Sequence, residues 1–539
     1  MSRTNFLFGL IIILAIMLRF FYLGRIPNGF YSDEASYGYN AYSILKTGKD
    51  EYGAFFPLAF KSFGEYKAPL YIYLMVPFVW IFGLSEFSVR VVSALLGVLL
   101  IALVYLLVRR ITHRSGLALA TSFIISVSPL ALQFNRMGHE NNLSIVLIAA
   151  GIMFFIYSLR FPNYILLSLA VFALSFYNHN DVRVLTPLLL GALFLLYRRN
   201  LLTIKKQLFL GLILFIVLLI PLFGLINSEA FWNRPKYVSF FSDKGIVLEI
   251  NKERGEDNKI KFFNPYIFHN KVLALPEKFL ENYFSHFNFD FMFLKGDQVQ
   301  IYNTIGNGLV YLFELPFILL GLYFLLKEKN AYKWIIIILL IISPIPGALT
   351  RYVPSASRTI TILLPLSIVS AYGLLSSIRK LNGFRVKKVY LILISIIFSF
   401  NMVYYLHYYY FNTPLRYAKE WHYGMREVVN QVEKIQNNYS NIWFSKNTWG
   451  YIYPLFYLQY PPDKYQTQAK LSPLNEFGFG WVDGFDKYIF ADFPYKMESF
   501  QNTLFIGSPT DFKKLKKPLY SVYYPNGDIA YYFADSTSF

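Results

Sequence analysis

Residues 6–23 read FLFGLIIILAIMLRFFYL, an apolar run broken by one charge, Arg19. A helix rises 1.5 Å per residue, so about 20 apolar residues reach across the roughly 30 Å hydrocarbon core of a bilayer. Windows of the same character recur at 91–108, 117–134, 142–159, 164–178, 184–197, 208–227, 306–326, 334–350, 359–378 and 389–408. The 539-residue chain is 55% hydrophobic and 15% charged, against about 25% charged for soluble domains. The pattern predicts a polytopic α-helical membrane protein of about eleven spans. The first run exceeds a signal-peptide h-region, and the following RIPNGFYSDEA offers no small-x-small cleavage site, so it reads as an uncleaved span.

The loops set the orientation. RRITHR (109–114), LRFPN (159–163), YRRNLLTIKK (197–206), LKEKNAYK (326–333) and RKLNGFRVKK (379–388) are basic. The alternate short loops carry only Arg136, Arg183, Arg351 and Arg358. Positive loops stay cytoplasmic, which predicts an N-in, C-out chain and accounts for the net charge of +19 without nucleic acid. The stretch PLYIYLMVPFVWIFGL (69–84) is short and holds Pro69 and Pro77. Crossing there would invert every later loop, so it reads as an outer interfacial or re-entrant helix within an outer loop 24–90. A second outer loop spans 228–305. Residues 1–408 then form the membrane module and 409–539 an extracytoplasmic α/β domain. The latter opens with a helical pattern over 415–436 and continues with the strand-like NIWFSKN, KYIFADF and NTLFIG. Its Asn526-Gly527, between aromatic runs, predicts a hairpin. The chain has no cysteine, which excludes disulfides and thiolate metal sites.

This topology gathers Arg19, Asp33, Glu34, Glu65, Lys67, Arg136, His139, Glu140, His179, Asp181, Arg183, Arg351 and Arg358 at the outer membrane face. Ionisable groups at that depth are costly unless paired or wetted, so they tend to line a cavity. Cations there suit a lipid-linked phosphate, and carboxylates beside them suit a general base for a hydroxyl. Each group also has a plain structural reading. Asp33 and Glu34 fit the first turn of a helix capped by Ser32. Lys67 and Arg19 can snorkel, and Arg136 and Glu140 are spaced as a helix ion pair. Arg351 and Arg358 could instead anchor their loop to anionic headgroups. Shaping of an acceptor groove by the aromatic stretch 282–293 competes with ordinary interfacial placement. His139, His179 and Asp181 could hold a divalent metal, but their spacing matches no metal motif.

YSDEASYGYNAYSILKTG (31–48), EYKAPLYIYL (65–74) and RVVSALLGVL (90–99) resemble the first loop and second span of GT-C glycosyltransferases. The nearest likeness is to the family 39 group of protein O-mannosyltransferases and bacterial aminoarabinose transferases. SPLALQFNRMGHENNL (128–143), NYFSHFNFDFMFLKGD (282–297) and YIYPLFYLQYPPDKYQ (451–466) extend the resemblance over nearly the whole chain. It implies inverting transfer of a sugar from a polyprenyl-phosphate donor to a hydroxyl of a protein, lipid or glycan, on the outer face of the plasma membrane. It implies Asp33 as base with Glu34 in support, and Lys67 and Arg136 around the donor phosphate; Arg358 and Arg351 are not part of the resemblance, but from their own loop could complete that phosphate pocket. Glu140, His139 and Glu65 would support the acceptor. The chain reads Lys67-Ala68-Pro69 where the family has two prolines, and Glu140 where mannosyltransferases have Asp. No cofactor is implied. The rivals are a lipid or lipid-linked-sugar flippase, whose sites lie near the midplane between repeats, and a non-catalytic envelope scaffold. An oligosaccharyltransferase would need a Trp-Trp-Asp type motif, to which NTWGY (447–451) is the nearest approach.

Overall fold

The computed structural model describes residues 3–260, 264–448, 450–473, 480 and 482–539. Trp449 of the NTWGY stretch lies outside them. The chain opens with α1 (Arg3–Phe20), α2 (Ser32–Thr47), the hairpin β1–β2 (Phe60–Ser62, Glu65–Lys67), α3 (Pro69–Phe82) and α4 (Glu86–Thr112). Next come α5 (Ser115–Val127), α6 (Pro129–Asn135), α7 (Asn141–Ser158), α8 (Tyr164–Ser175), α9 (Asn180–Leu196), α10 (Arg198–Leu201) and α11 (Lys205–Phe223). Segment 228–305 carries α12 (Glu229–Val238), α13 (Lys244–Ile260), α14 (Pro265–Phe268) and α15 (Lys271–Ser285). The helices α16 (Leu315–Lys327), α17 (Tyr332–Ile342), α18 (Ile345–Ala348), α19 (Leu363–Lys380) and α20 (Phe384–His407) follow.

Among the described residues six helices are long and apolar enough to cross a membrane, or seven if α5 and α6 form one span. Each apolar window in the sequence falls on a helix, with altered bounds. The 117–134 window breaks into α5 and α6, bent by 58°. Pro129 pushes Ser128 out of the helical region, and its ψ is 133°. The 306–326 window is α-helical only from Leu315, after a 3-10 turn over Leu312–Glu314; upstream, Gly308 lies flush on the Met292–Phe293 backbone where no side chain fits. The 334–350 window breaks before Ile345 at Pro344. The 91–108 helix starts earlier, at Glu86, since Glu86 and Arg90 find polar partners.

The chain divides into two compact units, one of Met1–Ala102, Ala131–Val146 and Ser399–Phe539, the other of Leu103–Leu130 and Leu147–Phe398. Past α21 (Thr413–Arg416) and α22 (Met425–Ile435), the first unit holds β3 (Asn441–Ser445), α23 (Ile452–Tyr457), α24 (Pro462–Gln468), β4 (Lys470–Leu471), β5 (Val482–Phe485), β6 (Tyr488–Ala491), β7 (Thr503–Gly507), β8 (Tyr520–Tyr523) and β9 (Ile529–Ala534). These strands make one mixed sheet in the order β4-β5-β6-β3-β7-β9-β8, with β3 parallel to both β6 and β7. The β8–β9 hairpin turns at Gly527, whose φ of +92° suits a residue without a Cβ. The helix expected over 415–436 is interrupted: a turn over 417–424 separates α21 from α22, and both His422 (φ +51°) and Gly424 (φ +91°) are left-handed. α23 packs on α2, so the sheet's flank abuts the first loop.

In the second unit α16 and α19 pack closely, with glycines at the contact. A methyl group on Gly321 would overlap the Val369 carbonyl, and one on Gly373 the Phe317 carbonyl. Small residues at such crossings let two backbones approach within van der Waals distance.

Candidate active site

Asp33 and Glu34 occupy the first turn of α2, where the helix dipole favours negative charge. Glu34 is buried and fully engaged. Arg90 grips it bidentately, Nε to Oε1 at 2.9 Å and Nη2 to Oε2 at 3.0 Å. The amides of Gly138 and Tyr31 donate to the same carboxylate at 2.7 and 3.2 Å. Gly138 is needed for that approach, because a Cβ there would press on Val89 Cγ1 at 2.6 Å. Arg90 spends its other donors on the carbonyls of Leu23, Pro27 and Gly29. This pair fixes the chain's path into α2.

Asp33 faces the other way, with its side chain 26% exposed. Its Oδ1 accepts from the Lys67 ammonium at the end of β2, and Lys67 is buried. Glu65 Oε1 lies 3.9 Å from the same nitrogen, and the Tyr37 ring centroid 4.8 Å. Burial lowers the Lys67 pKa, but Asp33, Glu65 and Glu140 outweigh it, so the group is raised and stays charged. The Tyr37 hydroxyl donates to Glu140, whose Oε2 is 3.9 Å from His139 Nδ1. Asp33, Lys67, Glu65, Tyr37, Glu140 and His139 therefore form one linked polar cluster, three carboxylates gathered around the Lys67 ammonium.

Arg136 is placed differently from Lys67. Its Nη1 donates to the carbonyls of Leu18 and Arg19 at 2.7 and 3.0 Å, and its Nη2 to Phe21 and Ile26 at 2.7 and 3.1 Å. The Nε reaches Tyr409 Oη at 3.3 Å. The guanidinium thus caps the carbonyl end of α1. Arg19 is buried with Nε 2.8 Å from Asn135 Oδ1.

Behind Lys67 lies Glu51, fully buried, with Tyr451 donating to Oε1 at 3.3 Å and Oε2 without a hydrogen-bond partner among the described residues. Burial, with Asp50 adding to it, pushes its carboxyl up to about 8. Tyr39, Tyr52, Tyr451 and Tyr465 all lie within reach of the Glu51 carboxyl's field, and the Tyr465 hydroxyl is likewise a buried atom with no partner among the described residues.

The remaining sequence-predicted residues belong to the second unit. His179, Asp181, Arg183 and Arg358 line a cavity of about 300 Å³ whose other walls include Phe231, Val238, Phe241 and Leu349. Arg358 Nη1 is 3.0 Å from Thr350 Oγ1. Arg351 donates to the Ser239 and Ser242 carbonyls. His179 Nδ1 and Asp181 Oδ1 are 2.8 Å apart. Among the described residues no three His, Asp or Glu side chains are grouped to hold a metal ion.

Sequence reasoning missed Arg90, Tyr37, Glu51 and His422. Arg90 heads the quoted RVVSALLGVL stretch, and an arginine at the mouth of an apolar run is the available signal. The others carry none, since their partners lie far along the chain.

Comparisons place this geometry among known folds. A family model described as dolichyl-phosphate-mannose-protein mannosyltransferase matches residues 66–223. ArnT from Cupriavidus metallidurans in the apo state superposes with a TM-score of 0.54 at 13% identity, over 98% of each chain. The same protein bound to undecaprenyl phosphate gives 0.54 at 12%, over 99% of this chain and 98% of that one. The Archaeoglobus fulgidus oligosaccharyltransferase tethered with an acceptor peptide gives 0.50 at 12%, covering 83% of this chain and 63% of its own. No curated protein matches the sequence. The fold is of the GT-C type.

Proposed function

We propose that the protein is an inverting glycosyltransferase that moves a sugar from a polyprenyl-phosphate donor to a hydroxyl, with Asp33 as the general base. One observation carries the reading: of two adjacent carboxylates, Glu34 is locked to Arg90 while Asp33 is partly exposed and paired with a buried lysine. A structural carboxylate needs no opening to solvent, whereas a base must reach its substrate. The structural likeness to ArnT, a structure of which holds undecaprenyl phosphate, supports the donor class.

In this reading the acceptor hydroxyl approaches the anomeric carbon from the face opposite the phosphate. The oxygen–carbon bond forms as the carbon–phosphate-oxygen bond breaks, and Asp33 takes the hydroxyl proton. Polyprenyl monophosphate leaves, and its growing charge is met by the Lys67 ammonium. Lys67 is the donor-phosphate ligand of the first unit, and Arg136 maintains the site by capping α1. Arg358 and Arg183 make the second unit's cavity a place for an anionic group with an apolar tail. Glu140, His139 and Glu65 balance Lys67 on the acceptor side. The helices are read as spanning the plasma membrane, N-terminus inside, with Asp33 outside; the loop charges support this.

The test uses purified protein in detergent and a panel of polyprenyl-phosphate sugars, following release of polyprenyl phosphate by mass spectrometry. Donor-dependent release falling at least about 100-fold in Asp33→Asn, with melting temperature kept, is expected for loss of a general base. Equal release from both proteins would remove Asp33 from that role.

A further inference from the structure

The turn 417–424 is bound to the segment that leads into α2. Asn28 Nδ2 donates to the Pro414 carbonyl at 2.6 Å. Gly29 lies so close to the Trp421 backbone that a side chain would not fit. Tyr453 of α23 donates its hydroxyl proton to the Phe30 carbonyl at 2.9 Å. The Tyr31 and His422 rings meet at 5.4 Å. His422 is thus brought beside the residues that present Asp33, with its backbone held at a φ of +51°. A non-glycine residue in that region persists only where its surroundings over-determine it, and such residues cluster at functional sites.

The hydrogen bonds fix the imidazole's form. The single hydroxyl proton of Tyr453 goes to Phe30, so in the His422–Tyr453 contact Nδ1 must be the donor. Nε2 then carries a lone pair. It has no hydrogen-bond partner among the described residues, and the residue is partly exposed. Burial pushes the imidazole down to about 4, with the Asp33 charge opposing, which keeps the ring neutral near pH 7.

We propose that His422 is an acceptor-binding residue, its Nε2 receiving a hydrogen bond from the substrate whose hydroxyl Asp33 deprotonates. The ligand class is a polyol or hydroxyl-bearing acceptor, which can donate to a neutral imidazole and to a carboxylate together. This rests on the glycosyltransferase reading above.

Two substitutions separate the two ring nitrogens. Asparagine puts an amide donor near the Nδ1 position and keeps the tie to Tyr453; glutamine puts an amide oxygen near Nε2. Native membranes containing wild type, H422N or H422Q, with their endogenous acceptors, are supplied with radiolabelled polyprenyl-phosphate sugars, and label leaving the donor fraction is counted. The expected result is at least a ten-fold loss in H422N and a smaller loss in H422Q. Polyprenyl phosphate should raise the melting temperature of H422N as much as that of wild type. H422N equal to or better than H422Q would overturn the role of Nε2. Because a variant can fail to fold, wild type is also treated with diethyl pyrocarbonate: carbethoxylation of His422, read by mass spectrometry, should track the loss of transfer. Modification without loss would overturn the proposal. No transfer by wild type with any donor would defeat the glycosyltransferase reading itself and His422's role with it, whereas an active wild type with an unimpaired H422N defeats only the latter.

Discussion

Glu34 and Asp33 are neighbours in sequence held by opposite means, and substitution should separate them by phenotype. Glu34→Gln leaves Arg90 charged and unpaired in a buried setting, a change that costs roughly 3–5 kcal/mol. A lowered melting temperature and weak expression are therefore expected, in contrast to the folded but inactive Asp33→Asn; a Glu34→Gln protein as stable as wild type would contradict the assignment. Glu51 makes a pH prediction. Its carboxyl is raised from 4.5 to about 8, so between those values the folded state holds a proton that the unfolded state has lost. Stability should fall as pH rises from about 4.5 through about 8, and Glu51→Gln should flatten that decline in thermal melts at pH 5, 7 and 9. At this scale the sequence exposed the acidic pair and Lys67, because charge beside an apolar run is conspicuous. It did not distinguish the two carboxylates, because what separates them is Arg90, more than fifty residues away.

Helices were legible from hydrophobic content, and their breaks less so. Pro129 and Pro344 interrupt runs that read as continuous, and a proline within an apolar window is compatible with a kinked span as well as a break. The loss of helix at 417–424 had one local sign, Gly424, which packs against Val522 and Tyr531 with a φ of +91°. The strands of the C-terminal sheet were visible as short aromatic and β-branched runs, but their order was not, since β3 sits centrally between strands that follow it in sequence. Among the helices, the α16–α19 contact invites a test. Gly373→Val drives a side chain into the Phe317 carbonyl, and overpacking of this kind costs about 1–3 kcal/mol. A reduced melting temperature in detergent is expected, with Ser376→Val one turn along as a control; equal melting of the two would show that the helices separate without penalty.

For the molecule as a whole, orientation is the property most open to direct measurement, because the chain has no cysteine of its own. Single cysteines at Asn526, in the β8–β9 turn, and at Asn382, between α19 and α20, can each be probed with a membrane-impermeant maleimide on intact cells. Labelling at 526 and protection at 382 is expected; the reverse would invert the chain and move Asp33 to the cytoplasm. The two-unit division also has a bearing on how the C-terminal residues are used. Trp421, Tyr451 and Tyr453 are buried against the first loop, so that part of the chain is a wall of the site as well as an appended sheet. Last, the proposed mechanism, applied to the Lys67–Asp33 pair, sets a rhythm for turnover. On that proposal one ammonium serves two anions by turns: the carboxylate while the site is idle, and the departing phosphate once the carboxylate has taken its proton. The product would then be gripped until Asp33 is ionised again and reclaims its partner, which would tie discharge of the spent carrier lipid to loss of a proton. Dissociation of polyprenyl phosphate, timed after a single turnover, should quicken as pH rises; a rate indifferent to pH would uncouple the two events.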